Sequence, residues 1–167
     1  MLSKENLLLI CEKQKELDFY IYKKKKIIMN KKLYNQKAIA LIVEFFEFLN
    51  ETKFFKYWSS KKNVVDHAKI VEEFVDVIHF AFSIGNNLKY DFAKHNFISK
   101  TSTLEEATLK FVESFTNLIK ENTTKNFSSM FNRLFNIAEL LKISETEIME
   151  VYLKKNKINI ERQDNGY

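Results

Sequence analysis

Turn-forming residues are scarce in this chain, which has no proline and only 2 glycines in 167 residues. Tight turns between strands and proline-rich linkers depend on these residues, so neither a β-rich fold nor a string of linked modules is favoured. Apolar residues, including 16 Phe, recur at the spacing of amphipathic helices. The sequence therefore predicts an all-α fold, a bundle of about six helices that forms a single domain over residues 1–167.

Two of the predicted helices combine apolar residues with a narrow acidic stripe. Glu44 and Glu47 are three residues apart in the first, and Glu73 and Asp76 are three apart in the second. Residues three apart share a helix face, and nearly all the other residues of both segments are apolar. Four such carboxylates repel one another unless a cation lies between them. We therefore expect them to bind Mg²⁺, which prefers oxygen ligands.

Capping and breaking signals predict where the helices begin and end. Ser3 is expected to cap the first helix, and the polar stretch 30–35 is expected to connect it to the second. The second helix is predicted to run from about Gln36 to Asn50 or beyond, and the third from Asp66 to about Asn87, with Gly85 as an end signal. The fourth helix is opened by Ser102–Glu105, the Phe-rich fifth covers 126–141, and the sixth is opened by Ser144–Glu147.

His79 and Ser83 fall near the acidic stripe of the third helix. A single histidine in this position is more often a hydrogen-bonded structural group than a ligand, and imidazole suits Zn²⁺ better than Mg²⁺. We therefore do not assign His79 as a metal ligand. Trp58, the only tryptophan, follows Lys56 and precedes a lysine-rich loop, so it fits either core packing or a wall for base stacking.

The C-terminal segment places Lys155, Asn159 and Arg162 on one face if it is helical. A guanidinium binds phosphate in a bidentate manner, and an asparagine amide both donates and accepts hydrogen bonds. From this segment alone, a frayed basic tail is nevertheless the preferred interpretation.

The net charge of +5 is compatible with nucleic acid, a membrane surface or a polyanionic small molecule as partner. Cys11 is the only cysteine, which excludes an internal disulfide and favours a reducing compartment. No apolar run reaches the ~18 residues of a membrane span, and the N-terminal residues lack a signal-peptide pattern. We therefore expect a cytoplasmic protein without a membrane partner.

Four blocks, in this order, resemble motifs of the dimeric dUTPase family, part of the MazG-like all-α NTP pyrophosphatase superfamily. They are Gln14-Lys-Glu-Leu-Asp18, the Glu44–Glu47 helix with the following Phe-Lys-Tyr-Trp-Ser, the Glu73–Asp76 helix with the following Val-Ile-His-Phe, and the C-terminal Lys-Asn-Lys-Ile-Asn-Ile-Glu-Arg-Gln-Asp-Asn-Gly-Tyr. Asp18 stands where some members have asparagine. Together the blocks cover most of the chain, and residues 87–143 lack a recognisable motif.

This resemblance implies an all-α homodimer that hydrolyses dUTP to dUMP and pyrophosphate with Mg²⁺. It implies that Glu44, Glu47, Glu73 and Asp76 are the metal ligands. On chemical grounds we expect one of the glutamates, Glu44 or Glu47, to take the proton of the attacking water as general base. It implies substrate contacts from Gln14, Lys56, Trp58, His79, Phe80, Lys155, Asn159 and Arg162. The Phe-rich stretch from Phe111 to Phe135 is expected to support dimerisation, because a small domain has limited room to bury it.

Two other functions compete with a dUTPase. A MazG-like pyrophosphatase for other nucleotides would share the acidic helices but lack the Lys-Tyr-Trp and C-terminal blocks. A basic helical module that binds nucleic acid would explain the net charge, but its acidic stripes would repel phosphates. We therefore expect no nucleic-acid partner.

Overall fold

The computed structural model describes residues 1–59, 65–99 and 103–165, and within them it is entirely helical. The six α-helices of this described part are α1 (Lys4–Lys25), α2 (Lys31–Thr52), α3 (His67–Asn87), α4 (Leu104–Lys120), α5 (Thr124–Leu140) and α6 (Glu145–Asp164), with a short 3₁₀ helix at Phe92–Lys94. The predicted all-α fold is confirmed.

One hydrophobic core joins residues from all six helices, and aromatic rings form much of it. Phe45 on α2 stacks on Phe111 of α4 with ring centroids 3.8 Å apart. Phe74 on α3 meets Phe135 of α5 edge to face. Phe111 and Phe135 are buried within the chain itself, whereas Phe115 is only partly buried. Most, but not all, of the Phe-rich stretch is therefore buried in one copy.

Helices α2 and α3 pack on each other along their length, and this pairing brings the two acidic stripes together. Helix α6 packs on both α1 and α3. Glu145, at the start of α6, accepts a hydrogen bond from the Ser3 backbone N–H at 2.7 Å. Asp164, at its end, pairs with Lys24 at 2.7 Å near the end of α1. Helices α1 and α6 therefore run side by side and parallel.

The predicted caps are largely present. Ser3 caps α1, Asp66 caps α3, and Ser144 with Glu147 forms a complete capping box at α6. Helix α4 opens where expected, with Thr103 as its cap, while Ser102 lies outside the described residues.

One boundary prediction was wrong, and one was confirmed. Helix α2 already begins at Lys31, because the Asn30 side chain caps it by accepting from the Leu33 N–H at 2.9 Å. The stretch 30–35 is therefore mostly helix rather than connector. Helix α3 ends at Asn87 as predicted, although Gly85 lies inside the helix and is not its end signal. The missing side chain of Gly85 instead makes room for two rings, since a Cβ there would lie 2.6 Å from ring carbons of Phe92 and Phe127.

Among the described residues, none of the helices has the length and apolar character that a membrane-spanning segment requires.

Candidate active site

Three glutamates from facing helices form an acidic cluster. Glu44 and Glu47 of α2 and Glu73 of α3 each offer a carboxylate oxygen, and these oxygens all lie within 4.8 Å of one another. The ExxE spacing on one helix and the packing of α3 against it bring these side chains together. Such a set of oxygens fits a hard divalent cation such as Mg²⁺.

The charges of the cluster are poorly balanced by the protein alone. Burial and the neighbouring charges of Asp76, Glu47 and Glu73 raise the pKa of Glu44 to about 7. Burial and the charge of Asp76 also raise the pKa of Glu73. Carboxylates that hold protons so tightly in the metal-free protein have the surplus negative charge that a bound cation would neutralise.

Among the described residues, Asp76 has a hydrogen-bonded lysine that the three glutamates lack. Lys155 of α6 donates a hydrogen bond to Asp76 Oδ2 and also lies 3.4 Å from Glu72 Oε1. Burial nevertheless raises the pKa of Asp76, against the opposing effect of Lys155. Asp76 therefore adjoins the acidic cluster, but its carboxylate is already engaged by a lysine.

Three depressions meet at these carboxylates. The first, which we call the apolar cavity, has a volume of about 490 Å³ and reaches Glu44 and Asp76. The second, the basic groove, also measures about 490 Å³ and contains Lys154, Lys155 and Arg162 beside Glu73 and Asp76. The third, the outer groove, of about 590 Å³, contains Glu47 and Glu73. The apolar cavity and the basic groove share Asp76, Asn159 and Arg162.

The apolar cavity contains several of the residues predicted to contact substrate. Gln14, His79, Phe80, Asn159 and Arg162 all line it. Gln14 of α1 donates through Nε2 to Asp18 Oδ1 at 2.8 Å, as their one-turn spacing suggests. The structure thus brings together predicted residues from α1, α3 and α6, which lie far apart in the sequence.

Lys56 and Trp58 are placed elsewhere. Neither lines the apolar cavity or the basic groove. Trp58 is 64% exposed and meets Tyr57 edge to face, while Lys56 donates to Asn50 Oδ1 at 2.9 Å. Their predicted contacts with substrate stay predictions.

The apolar cavity also has polar lining residues beyond those that the sequence singled out, among them Lys37 and Tyr22. Lys37 of α2 pairs with Asp18 at 2.9 Å, and its amine lies 4.9 Å from the centre of the Tyr22 ring. The Tyr22 hydroxyl, His79 Nε2 and Gln163 Oε1 are buried without a hydrogen-bond partner in the described part of the chain. All three residues line this one cavity. Their unmet hydrogen-bonding capacity points to a polar ligand.

Comparison with known proteins agrees with this arrangement. A family model described as dUTPase matches residues 6–167, nearly the whole chain. No curated protein sequence gives a significant match. The family match covers the acidic helices, the residues of the apolar cavity and the C-terminal block together. The chain therefore belongs to the all-α dUTPase family and is a dUTP diphosphatase.

Proposed function

We propose that the protein hydrolyses dUTP to dUMP and pyrophosphate with Mg²⁺ bound by Glu44, Glu47 and Glu73. Asp76 would join these ligands once its ion pair with Lys155 has opened. The observation that carries the proposal is the cluster of three carboxylates, whose oxygens lie within 4.8 Å of one another. When bound, Mg²⁺ would supply Lewis-acid activation of water and neutralise charge on the phosphates. Glu44 or Glu47 is then placed to take the proton of the attacking water.

The triphosphate is assigned to the basic groove. Lys155 and Arg162 lie there beside the acidic cluster. A guanidinium and an ammonium form charge-assisted hydrogen bonds with phosphate oxygens, which are about twice as strong as neutral ones. Bound Mg²⁺ would weaken the ion pair between Asp76 and Lys155, so that the lysine could turn toward the substrate.

The nucleoside is assigned to the apolar cavity. Phe80 offers an apolar wall there, and Gln14 and His79 offer polar groups. Asn159 and Arg162 line both depressions and are suited to contact the nucleotide where the sugar joins the phosphates. Because His79 Nε2 is buried, a base reaches it only after a neighbouring side chain moves aside.

A homodimer is also proposed, on a different surface from the Phe-rich stretch. Ile39, Val43 and Phe46 recur at helical spacing on α2 and are 61%, 46% and 52% exposed. Apolar side chains this exposed along one helix face favour burial against a second copy. Sedimentation at micromolar concentration should show a dimer, and a charged substitution such as Val43→Glu should shift it toward monomer. A monomer in the unsubstituted protein would remove this proposal.

The substrate and metal are tested together by measuring pyrophosphate release from dUTP, dCTP, dTTP, dATP and dGTP, with Mg²⁺ and with EDTA. We expect release from dUTP in Mg²⁺ alone. Equal or better hydrolysis of another nucleotide would favour a MazG-like pyrophosphatase for other nucleoside triphosphates. Undiminished release in EDTA would remove the metal from the proposal.

A further inference from the structure

Gln14 is buried and hydrogen-bonded at both ends of its amide. Its Nε2 donates to Asp18 Oδ1 at 2.8 Å. Its Oε1 lies 2.8 Å from His79 Nδ1, and it accepts from the Tyr152 hydroxyl at 3.1 Å. An ionised carboxylate only accepts hydrogen bonds, so the amide NH₂ must face Asp18 and the carbonyl oxygen must face His79.

This orientation decides which nitrogen of His79 carries the proton. Nδ1 must donate, because the atom that lies 2.8 Å from it is the carbonyl oxygen of Gln14. The ring is neutral, since burial lowers the pKa of His79 to about 3. Nε2 therefore presents a lone pair. The ring is also stacked on Tyr152, with centroids 4.4 Å apart, which fixes its plane.

The orientation of Gln14 in turn depends on the contacts that hold the Asp18 carboxylate in place. Lys37 pairs with Asp18 Oδ2 at 2.9 Å, and the two side chains are only 9% and 13% exposed. The Ser83 hydroxyl donates to the same oxygen at 2.5 Å, and Lys37 also contacts that hydroxyl. Without Lys37, Asp18 would be a buried carboxylate with no cation beside it, and its hold on the Gln14 amide would weaken enough for Gln14 to reverse.

We propose that Lys37 is a positioning residue for base selection, acting through Asp18 and Gln14 to hold His79 in the tautomer whose Nε2 accepts a hydrogen bond. Uracil carries a hydrogen on N3 and can donate to that lone pair. Cytosine has a lone pair on N3 and is repelled by it. The inference rests on the proposed placement of the base in the apolar cavity, and it adds the reason why uracil is favoured there over cytosine.

The tautomer is read by NMR of the protein labelled with ¹⁵N at histidine, which distinguishes a protonated Nδ1 from a protonated Nε2. His79 is expected to be protonated at Nδ1 in the unsubstituted protein. Lys37→Met should populate the other tautomer and lower the preference for dUTP over dCTP in kcat/KM by about tenfold or more. Lys37→Arg should retain both properties. Lys110→Met breaks an exposed ion pair on α4 and should change neither.

Several results would overturn the proposal. Protonation of His79 at Nε2 in the unsubstituted protein would overturn it without the need for any variant. The test therefore still works if a variant fails to fold. A base preference that stays unchanged in Lys37→Met would also overturn it, whatever the tautomer. If dUTP causes no shift of the His79 signals, the base site itself is wrong and the inference falls with it, while Mg²⁺-dependent hydrolysis would stand.

Discussion

Lys155 of α6 donates a hydrogen bond to Asp76 of α3, and its side chain is only 16% exposed. The bond attaches the helix that carries Asn159 and Arg162 to the edge of the acidic cluster. It also places a positive charge beside carboxylates that otherwise repel one another. Helix α6 and the cluster are therefore coupled electrostatically, and what binds at one is expected to affect the other.

The first prediction concerns the carboxylates. Glu47→Gln keeps the shape of the side chain and removes its charge, and pyrophosphate release at saturating Mg²⁺ should fall by roughly a hundredfold or more, because a lost ligand costs several kcal/mol of charge stabilisation. Glu51→Gln is the matched control, since Glu51 lies one turn further along α2 and pairs with Lys69 at 3.2 Å. Near-normal turnover of Glu47→Gln would show that this residue is not an essential ligand.

The second prediction concerns stability of the metal-free protein against pH. The pKa of Glu44 is about 7 in the folded state, against an ordinary value of 4.5. The contribution of Glu44 to the free energy of unfolding is therefore fully present below about pH 4.5. It is lost as the pH rises through about 7, because the folded state then has to release the proton that it binds more tightly than the unfolded state does. In EDTA, Tm should fall between about pH 5 and pH 8.

The matched variant for this experiment is Glu44→Gln, which cannot ionise. Its Tm should decline less than that of the unsubstituted protein over the same range, and it should be the more stable of the two at the alkaline end. Parallel Tm curves would mean that repulsion at Glu44 contributes nothing measurable to stability.

The third prediction concerns the two arginines of the chain. Arg162 lines both the apolar cavity and the basic groove. Arg162→Lys keeps the charge but loses bidentate hydrogen bonding to phosphate, so kcat/KM for dUTP should fall about tenfold or more. Arg133→Lys, on α5 beside a separate surface depression, should leave kcat/KM unchanged. Equal effects of the two substitutions would contradict the assignment of Arg162 to the substrate.

The fourth prediction concerns packing around α3. Alanine normally stabilises a helix interior relative to glycine by up to ~1 kcal/mol. At Gly85 the added Cβ would lie 2.6 Å from ring carbons of Phe92 and Phe127, and overpacking of this kind costs about 1–3 kcal/mol. Gly85→Ala should therefore lower Tm while leaving kcat of the folded protein nearly intact. A raised Tm would show that the two rings move aside easily.

Local patterns in the sequence predicted the parts of the molecule that depend on neighbours a few residues away. The three-residue spacing of Glu44 and Glu47 placed both on one face of α2, and Ser144 with Glu147 marked the start of α6. The same local reasoning missed the start of α2, because an asparagine that caps a helix looks like any other residue of a polar connector. It also misread Gly85, whose role depends on rings at positions 92 and 127 rather than on its own helix.

The long-range contacts that hold the site residues in place could not be predicted from patterns in the sequence. Tyr152 meets Gln14 across 138 positions of sequence, and Lys37 meets Ser83 across 46. A lysine on an apolar helix is ordinarily solvated through its long side chain, so nothing in the sequence around Lys37 indicates a buried ion pair. The hydrogen bond from Lys155 to Asp76 was also missed, because Asp76 was assigned to the metal and Lys155 to the substrate from their local sequence alone.

The parallel pairing of α1 and α6 has a consequence for biosynthesis. Contacts such as Ser3 with Glu145 and Lys24 with Asp164 join positions 142 and 140 residues apart. A ribosome adds about 5–20 residues per second, so α1 to α5 emerge seconds before α6 can dock. During that interval the face of α1 that α6 will cover is bare, and Asp76 lacks its lysine. A nascent chain therefore exposes an unfinished pocket with unbalanced negative charge, and it acquires a nucleotide site only when α6 has left the ribosome.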